Sequence, residues 1–186
     1  DIAQRAGAAR KGVNLQVWAW PLHRAPLAVS LAADDTPTPK AGEWEHDGRG
    51  WWYRYEDGSY PADTAVMIDG TTYRFDASGY MRTGWAFEGG QWFYHASSGA
   101  QVSGWVYSGV HWYYMSPATG AMATGWVQVG STWYYLSPAT GAMHSGWLQE
   151  GGHWYYLDRS SGAMVTGWVK IYWKWYHFAD NGQLID

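Results

Sequence analysis

Thr124-Gly125-Trp126-Val127-Gln128-Val129-Gly130-Ser131-Thr132-Trp133-Tyr134-Tyr135-Leu136, followed shortly by Gly141-Ala142-Met143, is the stretch whose reading decides the fold. Residues 125–129 and 132–136 are short runs rich in aromatic and β-branched residues, which read as strands. The two-residue Gly130-Ser131 between them suits a primed hairpin turn, because glycine takes a positive φ at no steric cost. One isolated hairpin is marginal in water. This one has copies.

Gly-Trp pairs end at Trp85, Trp105, Trp126, Trp147 and Trp168, spaced 20, 21, 21 and 21 residues apart. A second aromatic run starts seven residues after each, at Trp92, Trp112, Trp133, Trp154 and Trp175. Glycines follow the first Trp by four residues at Gly89, Gly109, Gly130 and Gly151. Gly-x-Met closes units at Met81, Met122, Met143 and Met164. Upstream, Trp44, Gly48 and Trp51 keep the spacing, and Val66, Gly70 and Tyr73 keep it again with Val in place of the first Trp. Seven units of about 20 residues are therefore predicted, starting near 44, 66, 85, 105, 126, 147 and 168. Stacked neighbours supply the burial that one hairpin lacks, so the expected fold is an all-β solenoid of hairpins.

Composition narrows the function. Trp 16, Tyr 15 and Phe 4 make 19% of the 186 residues, with 24 glycines and few aliphatic core residues. A net charge of −4 argues against a nucleic-acid partner. The absence of cysteine excludes disulfides and thiolate chemistry. No apolar run reaches a membrane span; Leu27–Ala33 is short and broken by Ser30. Residues 1–40 stand outside the repeat grid. Ala3, Ala6, Ala9 and Val13 suggest a short helix with Arg5, Arg10 and Lys11 on its polar side, and 34–40 read as a linker. This segment is expected to be the tail of an upstream domain or to dock on the first hairpins. The organisation predicted is thus 1–40 as segment and linker, 41–82 as two degenerate structural repeats, and 83–186 as five regular ones.

Strand alternation points Trp133 and Tyr135 one way and Tyr134 and Leu136 the other. The two Trp of one hairpin then meet the middle Tyr of the next across a gap. Three rings around a gap form a cage that attracts a quaternary ammonium through its ring faces. No Lys or Arg occurs between Arg82 and Arg159, and 83–157 hold only Glu88 and Glu150 as carboxylates. Ring faces, rather than salt bridges, would carry the binding. The Trp pairs read as ligand contacts; the middle Tyr and the third Tyr of each run read equally as packing.

These units resemble the choline-binding, cell-wall-binding repeats of phage and bacterial wall lysins and surface proteins. The resemblance is strong over 83–186 and weak over 43–82. It implies a left-handed superhelix of hairpins. It also implies choline of a teichoic-acid-like polymer held between consecutive hairpins, by two aromatics of one and one of the next, with a methionine nearby. Carried over residue by residue, Trp85 and Trp92 would face Tyr113, and Trp105 and Trp112 would face Tyr134. Trp126 and Trp133 would face Tyr155, and Trp147 and Trp154 would face Tyr176. Met122, Met143 and Met164 would serve the last three cages, with Gln101 in that place for the first. Trp44 and Trp51 would face Arg74, and Val66 with Tyr73 lacks a Trp pair, so both upstream units read as structural. The resemblance further implies a non-catalytic targeting module, secreted and wall-associated, that needs no cofactor. The alternative is a glucan-binding domain like those of glucosyltransferases or clostridial toxins.

Three features remain. Glu43, Glu45 and Asp47 resemble the carboxylate pairs of glycoside hydrolysis, but without an implied pocket they read as a solvated edge. The histidines share no metal spacing and are expected at the surface. The last hairpin carries Ile171-Tyr172-Trp173-Lys174 where glycine turns were the rule, and Trp168 and Trp175 have no successor. Exposed apolar ends mark interaction sites, so this end is expected to form a homodimer about a two-fold axis; the alternative is that Leu184 and Ile185 fold back as a cap.

Overall fold

Every Gly-Trp pair opens a strand for a backbone reason. Gly84, Gly104, Gly125, Gly146 and Gly167 have φ between 71° and 89°, the left-handed region that side chains avoid. Each glycine turns the incoming loop sharply, and the Trp that follows is the first side chain to stand on the new hairpin. The computed structural model describes residues 41–185, so the helix and linker expected in 1–40 lie outside the described residues.

Among the described residues fourteen strands form seven antiparallel pairs: β1 (Gly42–His46) with β2 (Trp51–Tyr55), β3 (Thr64–Ile68) with β4 (Thr71–Phe75), β5 (Gly84–Glu88) with β6 (Gln91–His95), and β7 (Gly104–Ser108) with β8 (His111–Met115). The others are β9 (Gly125–Val129) with β10 (Thr132–Leu136), β11 (Gly146–Glu150) with β12 (His153–Leu157), and β13 (Gly167–Ile171) with β14 (Lys174–Phe178). The expected all-β stack of hairpins is what forms. Two-residue turns close hairpins two to seven, with the first turn residue at positive φ: Asp69, Gly89, Gly109, Gly130, Gly151 and Tyr172. Asp tolerates that region; Tyr172, at 54°, is strained there. The first hairpin is different, with a four-residue turn from Asp47 to Gly50.

No sheet joins one hairpin to the next. The loops do so instead. Met122 donates its N–H to the Trp92 carbonyl of the previous hairpin at 2.7 Å, and Ala123 donates to Tyr114 of its own at 2.8 Å. The same staple recurs at all six junctions, through Met81 to Trp51, Gln101 to Thr72, Met143 to Trp112, Met164 to Trp133 and Leu184 to Trp154. Each methionine side chain then lies against the glycine of the following loop, as Met122 does on Gly141 and Met143 on Gly162, where a Cβ would collide with it.

The register corrects one repeat. In the second hairpin Ala65 pairs with Arg74 and Val66 with Tyr73, as Trp85 pairs with Tyr94 and Ala86 with Phe93. Ala65 and Thr72 therefore hold the two Trp places, while Val66 is a core residue, 1% exposed. The sequence grid is one residue out there.

The core is a column of side chains at the end of the second strand of hairpins two to seven: Phe75, His95, Met115, Leu136, Leu157 and Phe178, all fully buried. His95 is the polar member, which overturns the expectation that the histidines are at the surface. Burial, and then the Arg74 charge, push its imidazole down to about 4. In the unfolded chain it titrates near ~6.5, so between those values only the unfolded chain takes up the proton. The stability that neutral His95 contributes is present above that upper value and is lost as pH falls towards the lower one. Urea midpoints of wild type and His95→Leu should therefore diverge from pH 6.5 to 4, with wild type losing on the order of 3 kcal/mol more. Parallel curves would contradict the burial.

Candidate functional site

Seven hairpins leave six gaps, and the rings meet in them. The first Trp of a hairpin pairs across its own sheet with the third ring of the run, as Trp85 does with Tyr94 and Trp105 with Tyr114, edge-on at 5.1 Å. That third ring is packing: Tyr135 and Tyr156 are buried. The opposite edge of the first Trp reaches the middle Tyr of the next hairpin. Trp85–Tyr113, Trp105–Tyr134 and Trp147–Tyr176 all stand 4.8 Å apart at 71–72°, and Trp126–Tyr155 stands 4.9 Å apart at 63°. The second Trp makes the third wall. Trp92, Trp112 and Trp154 lie 6.1–6.4 Å from the first Trp and nearly perpendicular to it, each a little over two-fifths exposed. Trp133 sits deeper, partly buried.

The structure thus brings each predicted ring trio into one gap, but it reassigns the methionines. The staple to the second-Trp carbonyl places Met122 at the Trp85–Trp92–Tyr113 gap, Met143 at Trp105–Trp112–Tyr134 and Met164 at Trp126–Trp133–Tyr155. The gap of Trp105 is a cavity of about 300 Å³ lined by Trp112, Tyr134 and Met143, with Ser160 and Ser161. Each methionine therefore serves one gap earlier than the sequence reading had it. The Trp147–Trp154–Tyr176 gap has Leu184 in that place, stapled to Trp154 at 2.8 Å.

A fifth trio was missed. Trp44 meets Tyr73, not Arg74, at 4.8 Å and 65°, and crosses Tyr53 at 5.2 Å and 71°, as Trp85 does Tyr113 and Tyr94. Trp51 supplies the exposed wall and Met81 the stapled methionine. The misplaced register of the second hairpin hid it, since counting from Val66 put Arg74 in the middle-ring place.

Arg74 points the other way, into the second gap. Ala65 and Thr72 leave room there, and its guanidinium lies 5.2 Å over Phe93, the middle ring of the third hairpin. It forms an ion pair with Glu88. The one gap without a Trp pair is occupied by a cation of the chain itself. Elsewhere the carboxylates also have structural partners. Glu43 and Glu45 both pair with Arg54, and Asp47 caps its turn through the Arg49 and Gly50 amides. Asp158 accepts from Ser160 and Ser161, which holds its carboxyl down to about 2 and fixes the loop that lines the Trp105 gap. Among the described residues no cluster suits a metal ion, and no helix is long and apolar enough to cross a membrane.

Fold and gaps together define a hairpin solenoid with ring-walled, cation-compatible clefts. The choline-binding repeat profile matches residues 83–124 and 123–166, and a cell wall binding repeat profile matches 66–81 and 166–184. The chain belongs to this choline-binding, cell-wall-binding repeat family. It is 38% identical to CbpJ from Streptococcus pneumoniae over 77% of this chain and 52% of that one, with a TM-score of 0.73. Choline binding protein F of the same species is 36% identical over 77% and 51%, TM-score 0.70. The modular autolysin LytC, also pneumococcal, is 30% identical over 78% and 33%, TM-score 0.64. The chain thus spans about half the length of CbpJ and CbpF. No curated protein sequence matches it.

The Arg74–Glu88 pair has a testable cost. Arg74 is buried and Glu88 is two-fifths exposed, so Glu88→Gln should destabilise the fold by about 2 kcal/mol, below the range for a fully buried pair. Arg74→Met with Glu88→Gln should recover most of that loss in chemical denaturation. A double variant as unstable as Glu88→Gln alone would mean that the pair does not hold this gap.

Proposed function

We propose that this chain is a targeting module that binds choline groups of a cell-surface polymer in five of its six gaps. The observation that carries this reading is the recurrence of one ring geometry, a first Trp 4.8–4.9 Å from the next hairpin's Tyr, at Trp44, Trp85, Trp105, Trp126 and Trp147. Each ring face contributes roughly 0.5–2 kcal/mol to holding a quaternary ammonium, so three give millimolar-to-micromolar sites. Several such sites on one rigid stack add avidity for a polymer that carries choline at intervals. The ligand-contacting residues are those trios with their methionines, or with Leu184 at the Trp147 gap; the second gap, filled by Arg74, takes none. The module is secreted and wall-associated, and it delivers whatever it is joined to.

The rings facing the second Trp grade the sites. Phe87 and Tyr107 add a fourth ring 5.1 Å from Trp92 and Trp112, where Gln128 and Gln149 stand opposite Trp133 and Trp154. Calorimetry with choline should resolve five sites, with Trp51→Ala and Trp112→Ala each removing one and Thr72→Ala removing none. Saturable heat with dextran and none with choline would favour the glucan-binding alternative instead.

The C-terminal hairpin supports self-association. Trp168 stacks flat on His177 at 4.5 Å with its outer face bare, and Trp173 at the tip is 93% exposed. Leu184 turns inward against Ile171 and Phe178, while Ile185 stays exposed. The tail therefore covers the inner face and leaves the outer one for a partner copy. Sedimentation of the full chain at tens of micromolar should give a dimer that Trp168→Ser with Trp173→Ser converts to a monomer; a wild-type monomer would end the proposal.

A further inference from the structure

Each gap is made of two halves. The earlier hairpin brings the Trp pair, and the later one brings its middle ring together with the residue in the methionine place. The first hairpin has no described hairpin before it, and it presents the second half alone. Trp52 stands in the middle-ring place, opposite Glu45 in the β1–β2 register. Tyr60 stands in the methionine place: its ring lies against Gly79 as Met81 lies against Gly99 and Met143 against Gly162. Ser78, just before Gly79, corresponds to Ser161, which lines the Trp105 gap. Both side chains of this half are larger than their counterparts downstream.

What replaces the absent Trp pair is polar. Asp47, Arg49 and Tyr80 join Trp52, Tyr60, Ser78 and Gly79 around a groove of about 270 Å³, close to the ~300 Å³ lower end of small-molecule sites. The Trp52 and Tyr60 rings stand 6.1 Å apart at 83°, and Tyr60 is 53% exposed. The Tyr80 hydroxyl donates to the Asp47 carboxylate at 2.8 Å, and the Arg49 guanidinium lies 4.7 Å over the Tyr80 ring.

That lining is wrong for a quaternary ammonium. A fixed guanidinium stands in it and already covers one ring face, whereas the rings of the Trp85, Trp105 and Trp126 cages lie in a stretch without Lys or Arg. The charges of Asp47 and Arg49 offset one another, which suits a neutral ligand. Two perpendicular rings offer faces to C–H groups. A carboxylate, a guanidinium and the hydroxyls of Tyr60, Ser78 and Tyr80 offer acceptors and donors to alcohols. A pyranose ring has both surfaces, a C–H face and a hydroxyl edge. We propose that this groove at the first hairpin binds a sugar unit of a neutral glycan. The module then holds its surface by two chemistries, cation cages along its length and a saccharide site at its N-terminal end.

The test uses the full chain with choline at saturation, so that the cages are filled and silent. Chitotriose and cellotriose are titrated separately while the indole N–H resonances are followed by NMR, with Trp52 assigned from Trp52→Phe. A saturable shift of the Trp52 resonance is expected, with a Kd on the order of 1 mM. A response to chitotriose alone assigns an acetamido sugar, and a response to both assigns any β-linked pyranose. Tyr60→Ala and Asp47→Ala should each weaken the response at least about tenfold, a loss of ~1.4 kcal/mol, while the choline titration is unchanged. That unchanged titration shows that the variants fold, and Asp47→Ala alone decides the matter if Tyr60→Ala does not fold. No saturable shift with either sugar overturns the proposal, as does a response that survives both substitutions. So does a Trp52 shift that follows protein concentration without sugar, because the groove would then be taken by the bare Trp168 end of a second copy.

Discussion

A single backbone hydrogen bond, repeated six times, sets the spacing on which the cages depend: the amide of the residue in the methionine place donates to the carbonyl of the second Trp place one hairpin earlier. Two-stranded sheets of five residues bury little by themselves, and here no ladder runs from one to the next. The staple fixes the rise between hairpins through the chain itself, not through the rings. The rings are then free to meet edge-on and leave a cleft instead of collapsing into a dry seam. It also explains the glycine after each methionine. The methionine must lie flat over the following loop, and Gly99, Gly141, Gly162 and Gly182 leave no Cβ in its way.

Much of this was legible because the landmarks report local needs. Gly-Trp marks a positive φ followed by the first side chain of a strand, and the turn glycine marks the other end of that strand. Those requirements act within a few residues, so spacing recovered the hairpins, and strand alternation with the family resemblance gave four of the ring trios. What failed was non-local. Which gap a methionine enters depends on the staple, and the staple links residues about 30 apart, such as Met143 and Trp112. The second hairpin failed for another reason. Val66 and Tyr73 reproduce the seven-residue spacing by coincidence, and only the pairing of Ala65 with Arg74 reveals the slip. A one-residue slip exchanges the faces of a strand. That is why Arg74 was set against Trp44 when it faces Phe93, and why Tyr73 was overlooked.

The second gap and its neighbours solve one physical problem in two ways. A ring face between stacked hairpins needs something against it. Where the Trp pair is present, the rings wall a cleft open to solvent, with room for a ligand. Where Ala65 and Thr72 replace them, the space is filled from within by Arg74, a cation over Phe93 with Glu88 as its counter-ion. Burial depresses the Arg74 pKa, mainly through loss of hydration, so the ion pair and the ring are what keep a charge tolerable there. The neighbouring His95 stays neutral under the same influence. An internal guanidinium in this gap shows that the hairpin spacing accommodates a cation against a ring face.

The two ends of the stack follow from the same division of each gap into halves. The last described hairpin ends on a Trp pair, Trp168 and Trp175, with no later ring described to face them. The N-terminal hairpin begins on a later half, Trp52 and Tyr60, with no earlier Trp pair described. Unmodified, such halves are complementary, and complementary ends on one molecule make a head-to-tail contact that does not close. The chain departs from that complementarity at both ends. Asp47, Arg49 and Tyr80 occupy the approach to Trp52, and the Glu43–Arg54–Glu45 network makes the same outer face polar. At the other end Tyr172 and Trp173 extend the apolar surface beyond the Trp pair, to a tip that no other described hairpin has. A polar end and an apolar end do not fit one another, so the open head-to-tail contact is disfavoured.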